Sequence, residues 1–171
     1  MPVAKLRVRR YRVVVSPYMG MGSPALLMEL EHGKVFVMSS IPPDIAIAIE
    51  KLANGVDLSD DTRLSLPLLL SEMPEVESVL SRVVKDVVID SAITRGDSVV
   101  YRATVTIQVD GEREVRVSAI PSSAIVLALL SGRDVYVDER LAMDTFVAEM
   151  GDDLDLDYAE DFDDEPPPLW A

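Results

Sequence analysis

The 171-residue chain has no cysteine, one histidine (His32) and one tryptophan (Trp170). Without cysteine there are no disulfides, no thiolate zinc sites and no cysteine nucleophiles, and the composition suits a reducing compartment. A lone histidine excludes multi-histidine metal sites and leaves a Ser–His–Asp triad with His32 alone. Long apolar runs are also missing. The longest, Ala124–Leu130, is far shorter than the roughly 20 residues a membrane span needs. The start, Met-Pro-Val-Ala-Lys-Leu-Arg, lacks a signal peptide's apolar stretch. A cytoplasmic chain without membrane contact is the expectation.

Basic residues are absent from one segment. Residues 151–171 hold nine acids and no Lys or Arg. The net charge is −14, of which residues 1–150 carry only −5. Lys5, Arg7, Arg9, Arg10 and Arg12 cluster at the opposite end of the chain. What is present fits a globular domain over 1–150, since 49% of the residues are hydrophobic. The segment 151–171 reads as an acidic, disordered tail.

Val-rich Leu6–Val15 reads as a strand, and Ser16–Pro24, with two glycines and two prolines, as a loop. Ala25–Glu31 and Lys34–Ser40 flank His32-Gly33 and read as a hairpin. Pro42-Pro43 opens a helix to about Ala53, stopped at Asn54-Gly55. Leu64–Val84 reads as helical with a break at Pro74, and Val87–Ile93 as a strand. A second hairpin, Val99–Val109 and Glu114–Ile120, turns at Asp110-Gly111. Pro121 then opens a nearly all-apolar helix, Ser122–Ser131, ended by Gly132. Val135–Val137 is a short strand. Asp138 is expected to cap a last helix to about Met150.

Two stretches match at a constant offset. Lys34-Val-Phe-Val-Met-Ser-Ser-Ile-Pro42 lies over Arg113-Glu-Val-Arg-Val-Ser-Ala-Ile-Pro121, 79 residues on, and an aliphatic helix ending at glycine follows each. The reading is an α+β domain of internally duplicated β-hairpin–Ile-Pro–helix units, in which a mixed sheet packs with helices. Two unrelated junctions of similar composition are the alternative.

The second unit is the more distinctive. Val117-Ser-Ala-Ile-Pro-Ser-Ser-Ala-Ile-Val-Leu-Ala-Leu, followed by Val135-Tyr-Val-Asp-Glu139, resembles the signature region of the bifunctional nuclease family. Leader, hairpin, first helix and the 62–82 region follow the family's order, so the resemblance spans about residues 6–145 of a divergent, archaeal-like member. It implies hydrolysis of DNA or RNA phosphodiesters with Mg²⁺ or Mn²⁺, held by clustered carboxylates. The chain departs from the family pattern at polar positions. Ser123 stands where the family usually has Asp, Leu66 and Pro67 where it has a His-Asp pair, and Met38-Ser39-Ser40 and Pro43 where it has a Trp-Ile-Gly-like segment and a Glu. Ser122, Asp138 and Glu139 remain of the matched polar residues.

The candidate catalytic acids are therefore Asp44, Asp138 and Glu139, with the metal ligands unassigned. Asp44 occupies in the first unit the place of Ser123 in the second. Each acid also suits a helix start, where negative charge favours the dipole. Ser122, Ser123, Arg7 and Arg9 are candidate phosphate contacts. The serines alternatively cap a helix. In a regular strand, Arg7 and Arg9 share one face and Arg10 and Arg12 the other, so no broad basic face is expected. Gly20-Met-Gly22 reads as a loop rather than a nucleotide fingerprint, and His32 as a surface turn residue. Asp153, Asp155 and Asp157 have calcium-loop spacing, but Tyr158 stands where that loop needs glycine.

Two function classes follow. One is a nuclease. The other is a non-catalytic, homo-oligomeric interaction module whose tail docks a basic partner. Convergence of the three acids would favour the first, and their scatter as helix caps the second.

Overall fold

The turns are set by left-handed backbone. His32 and Gly33 have φ of 61° and 66°, which folds β2 (Pro24–Leu30) back on β3 (Lys34–Met38) after β1 (Lys5–Val15). Pro42 then precedes α1 (Pro43–Asn54), whose end is a left-handed Gly55 that donates its N–H to the Lys51 carbonyl. Pro67 and Pro74 each start a short helix, α2 (Leu66–Ser71) and α3 (Pro74–Val83). Val84 passes directly into β4 (Val84–Arg95). There follow β5 (Ser98–Gln108), β6 (Glu114–Ala119), α4 (Pro121–Leu130), β7 (Val135–Asp138) and β8 (Met143–Asp144). The computed structural model describes residues 2–15, 24–55 and 63–144. The Gly20-Met-Gly22 loop, the aspartates at 153–157 and the acidic tail lie outside them.

The eight strands of the described residues form one mixed sheet in the order β6-β5-β4-β7-β1-β2-β3-β8. Two three-stranded meanders, β1-β2-β3 and β4-β5-β6, flank β7, and each is followed by a helix. β7 is antiparallel to β1 and parallel to β4, so the meanders run in opposite senses about the central strand. The duplicated pattern thus includes the strand before each hairpin. The architecture is α+β, with the sheet packed against the four helices of the described residues.

One core joins both halves. Leu6, Leu26, Met28, Phe36, Val87, Ile89, Val105, Val135 and Val137 face the helical layer, where Ala46, Ile49, Ala124 and Ile125 meet them. Each is at most 5% exposed, and burial of a side chain of this kind contributes about 1.5–3 kcal/mol. Among the described residues, no helix is long and apolar enough to cross a membrane.

The last expected helix is not formed over its described part. Asp138 caps a single 3-10 turn, Glu139–Leu141, and the chain then extends as β8, which pairs antiparallel with β3. The free backbone edge of β3 offers hydrogen bonds that a helix there would leave unmade. Long-range pairing overrides the local capping signal.

Candidate functional site

The nominated residues fall on two sides of the sheet. The helical side is built by the paired Ile-Pro junctions. Ile41-Pro42 and Ile120-Pro121, together with Ser122, Ser123, Ile45 and the start of β5 at Val99–Tyr101, line one cavity of about 350 Å³. Its walls carry no ionisable acid or base apart from the Tyr101 phenol. The serines do not cap α4. The N-cap is Ile120, Pro121 is the first helical residue, and no side chain caps the turn. Because proline sits at the helix start, both serines are carried inside the first turn. Ser122 is buried and Ser123 exposed.

Ser40, on the opposite wall, has φ of 59°. A non-glycine residue in this left-handed region is strained. Its counterpart Ala119 is not among the residues with positive φ.

Among the described residues, the other side of the sheet bears no helix. A cavity of about 500 Å³ there is lined by Lys5, Asp86, Asp90, Arg102, Asp138 and Arg140, among others. Asp138 is buried at the end of β7, directly across from Lys5. Arg140 grips its carboxylate with Nε at 3.0 Å from Oδ1 and Nη2 at 2.5 Å from Oδ2, and its backbone N–H donates to Oδ1 at 2.9 Å. The guanidinium bonds hold the Asp138 carboxyl below its ordinary range, and burial works against them. This is an arginine-neutralised cap.

The three candidate acids do not come together. Asp44 is exposed in the first turn of α1 and does not line the Asp138 cavity. Glu139 is exposed beside Asp138. Among the described residues, no three His, Asp or Glu side chains gather where a cation could sit. Asp44 and Asp138 act as the helix-start and cap residues that the dipole argument describes.

The basic cluster differs from the regular-strand expectation. A β-bulge between Val8 and Arg10 inserts an extra residue. The buried positions of β1 therefore step from Leu6 and Val8 to Tyr11, and Arg7, Arg10 and Arg12 all project from the helix-free side. Acids of β2 and its turn meet them. Arg7 and Arg9 approach Glu31 at 3.6 and 3.3 Å, and Arg10 and Arg12 approach Glu29 at 3.8 and 3.9 Å. Arg7 also reaches Asp134 at 3.5 Å. The Arg7 backbone N–H, followed by the charges of Arg9 and Arg7, holds the Glu31 carboxyl down against its desolvation. Beneath them burial, aided by Asp134, pushes the Tyr11 phenol up. Arg7 and Arg9, nominated for phosphate, are thus engaged with carboxylates. His32 is an exposed turn residue.

The residues that the sequence alone did not single out are the apolar ones of β6. This strand ends the sheet, and Val115 and Val117 lie exposed on it. Their Val-x-Val alternation was visible, but alternation does not tell an edge strand from a covered one. No family model matches the chain, and no curated protein matches it.

Proposed function

We propose that this protein is a non-catalytic, self-associating interaction module in which two copies join through the outer edge of β6. One observation carries the reading. The equivalent edge of the other unit, on β3, is occupied by β8, whereas β6 has no neighbour on its outer side among the described residues. An open, apolar strand edge is a template for another strand. The sequence of β6 suits a copy of itself. About a two-fold axis at Val115, Glu114 of each copy lies opposite Arg116 of the other, and Val115 meets Val115. Neither Glu114 nor Arg116 makes an ion pair with a described residue.

The acidic segment 151–171 remains, on its composition, the part offered to a basic partner. A cytoplasmic location accompanies this reading. Analytical ultracentrifugation of the full chain tests it. The expected result is a dimer that Val115→Lys/Val117→Lys converts to monomer with an unchanged circular dichroism spectrum. A monomeric wild-type chain, or a dimer insensitive to both lysines, refutes it. The nuclease implied by the family resemblance is tested separately, by Mg²⁺- or Mn²⁺-dependent cleavage of DNA and RNA with Asp44→Ala as control. Cleavage abolished by that substitution would replace the non-catalytic reading.

A further inference from the structure

The cavity between the two Ile-Pro junctions has a property that edge association leaves unused. α1 and α4 begin at it in equivalent ways, each with proline as its first residue. In α1 the first intrahelical bond runs from the Ala46 N–H to the Pro42 carbonyl, and in α4 from the Ala124 N–H to the Ile120 carbonyl. The N–H groups before these bonds have no intrahelical acceptor. In α4 they are those of Ser122 and Ser123, since proline has none.

The two helices differ in what compensates this positive end. α1 carries Asp44 in its first turn, whereas α4 has no acid there. Ser123 occupies the position equivalent to Asp44. The second observation concerns Ser122. The residue is only 7% exposed and lines the cavity, and its hydroxyl makes no hydrogen bond with a described residue. That hydroxyl is not sealed inside the core, so its free hydrogen-bonding capacity opens on the cavity, where a ligand can meet it.

The geometry points to a binding site at this cavity for a small organic monocarboxylate with an apolar body. The carboxylate accepts from the Ser122 hydroxyl and from the Ser122 and Ser123 N–H groups. It supplies at α4 the negative charge that Asp44 supplies at α1. The apolar body lies against Met38, Ile41, Ile45, Val99 and Tyr101. No Lys or Arg lines the cavity, so a single negative charge suits it and a doubly charged phosphate does not. A volume of about 350 Å³ falls within the range of small-molecule sites.

The test titrates octanoate, its neutral analogue octanamide and inorganic phosphate into the full chain, followed by backbone amide NMR and calorimetry. Octanoate is expected to shift the Ser122 and Ser123 amides and to bind at least about tenfold more tightly than octanamide, the effect of one charge-assisted hydrogen bond. Ser122→Ala should weaken it about tenfold. Ser123→Asp should abolish binding, because it places at α4 the carboxylate that α1 already has. That position is exposed, and an acid in the first turn favours the helix, so folding is retained. Equal binding of octanoate and octanamide, undiminished binding by the Ser123→Asp chain, or tighter binding of phosphate than of octanoate would each overturn the assignment.

Discussion

The two meander–helix units carry equivalent residues 79 positions apart, and burial divides them in opposite ways. On the hairpin strands, Phe36 is 1% exposed and its counterpart Val115 38%, and at the junctions that follow them Ile41 is 4% exposed and Ile120 70%. On the helices the order reverses, since Ile47 is 48% exposed and Val126 8%. In the first unit the edge of the strand is paired by β8, Phe36 packs edge-on against the Tyr101 ring, and one face of the helix is left to solvent. The second unit buries its helix at the centre of the helical layer and leaves its strand uncovered among the described residues. Alternation and helical periodicity are locally satisfied in both. A repeated pattern therefore transmits topology, but position in the sheet decides which member of the unit forms core and which forms surface.

The comparison is broken most directly by truncating equivalent residues. Phe36→Ala should cost about 3–5 kcal/mol in urea unfolding, against within about 0.5 kcal/mol for Val115→Ala measured on the monomer. Comparable losses would mean that β6 is covered. The helical pair should invert the order. Val126→Ala is expected to cost about 2 kcal/mol and Ile47→Ala less than about 1 kcal/mol. If the two agree, α4 is no more central than α1.

The open edge is sharpened by a charge exchange. Arg116→Glu places like charges opposite each other twice in the proposed dimer, at about 0.2–1 kcal/mol for each pair. Dissociation should increase by about two-fold to about thirty-fold. The double exchange Glu114→Arg/Arg116→Glu restores both pairs and should return the wild-type dissociation constant. Failure of that rescue in sedimentation experiments would exclude the proposed register.

The acid-dependent contribution comes from Asp138, whose folded carboxyl titrates below its ordinary value because Arg140 bonds it. A depressed acid stabilises the fold above its unfolded pKa, and this contribution is lost as pH falls through the folded one. Asp138→Asn should therefore lower stability at neutral pH, with the deficit shrinking as the solution is acidified. A constant deficit at every pH would leave only the cap hydrogen bond. The smallest effect is expected where β8 meets β3. The Lys34–Asp144 pair at 2.9 Å is largely exposed on its acidic side, so Asp144→Ala should change melting the least of the set.

Much of the scaffold was legible because its signals are local. Glycine and His32 turns, proline at helix starts, the break before Pro74 and the Gly55 stop all act through the backbone of a few residues. The offset of the two Ile-Pro junctions was equally readable. The long β4–β5 hairpin was less so, because Gly96-Asp97 separates two strands whose pairing is a tertiary fact. The candidate site was legible only in its parts. Ser122 and Ser123 could be assigned to a helix start, but not the cavity that brings that start to Ile41 and Pro42. The basic face of β1 was hidden by one inserted residue, since a bulge reverses side-chain alternation without changing composition.

By itself the chain's sequence determined which segments turn, which start helices and which pattern occurs twice, because those depend on φ preferences and apolar spacing within a few residues. Tertiary structure alone decided that β7 enters between the two meanders, that β8 pairs with β3 while no described strand pairs with the outer edge of β6, and that Asp44 and Asp138 line different parts of the molecule. These outcomes depend on which distant backbone edge and apolar face each segment meets, and no local preference records that encounter.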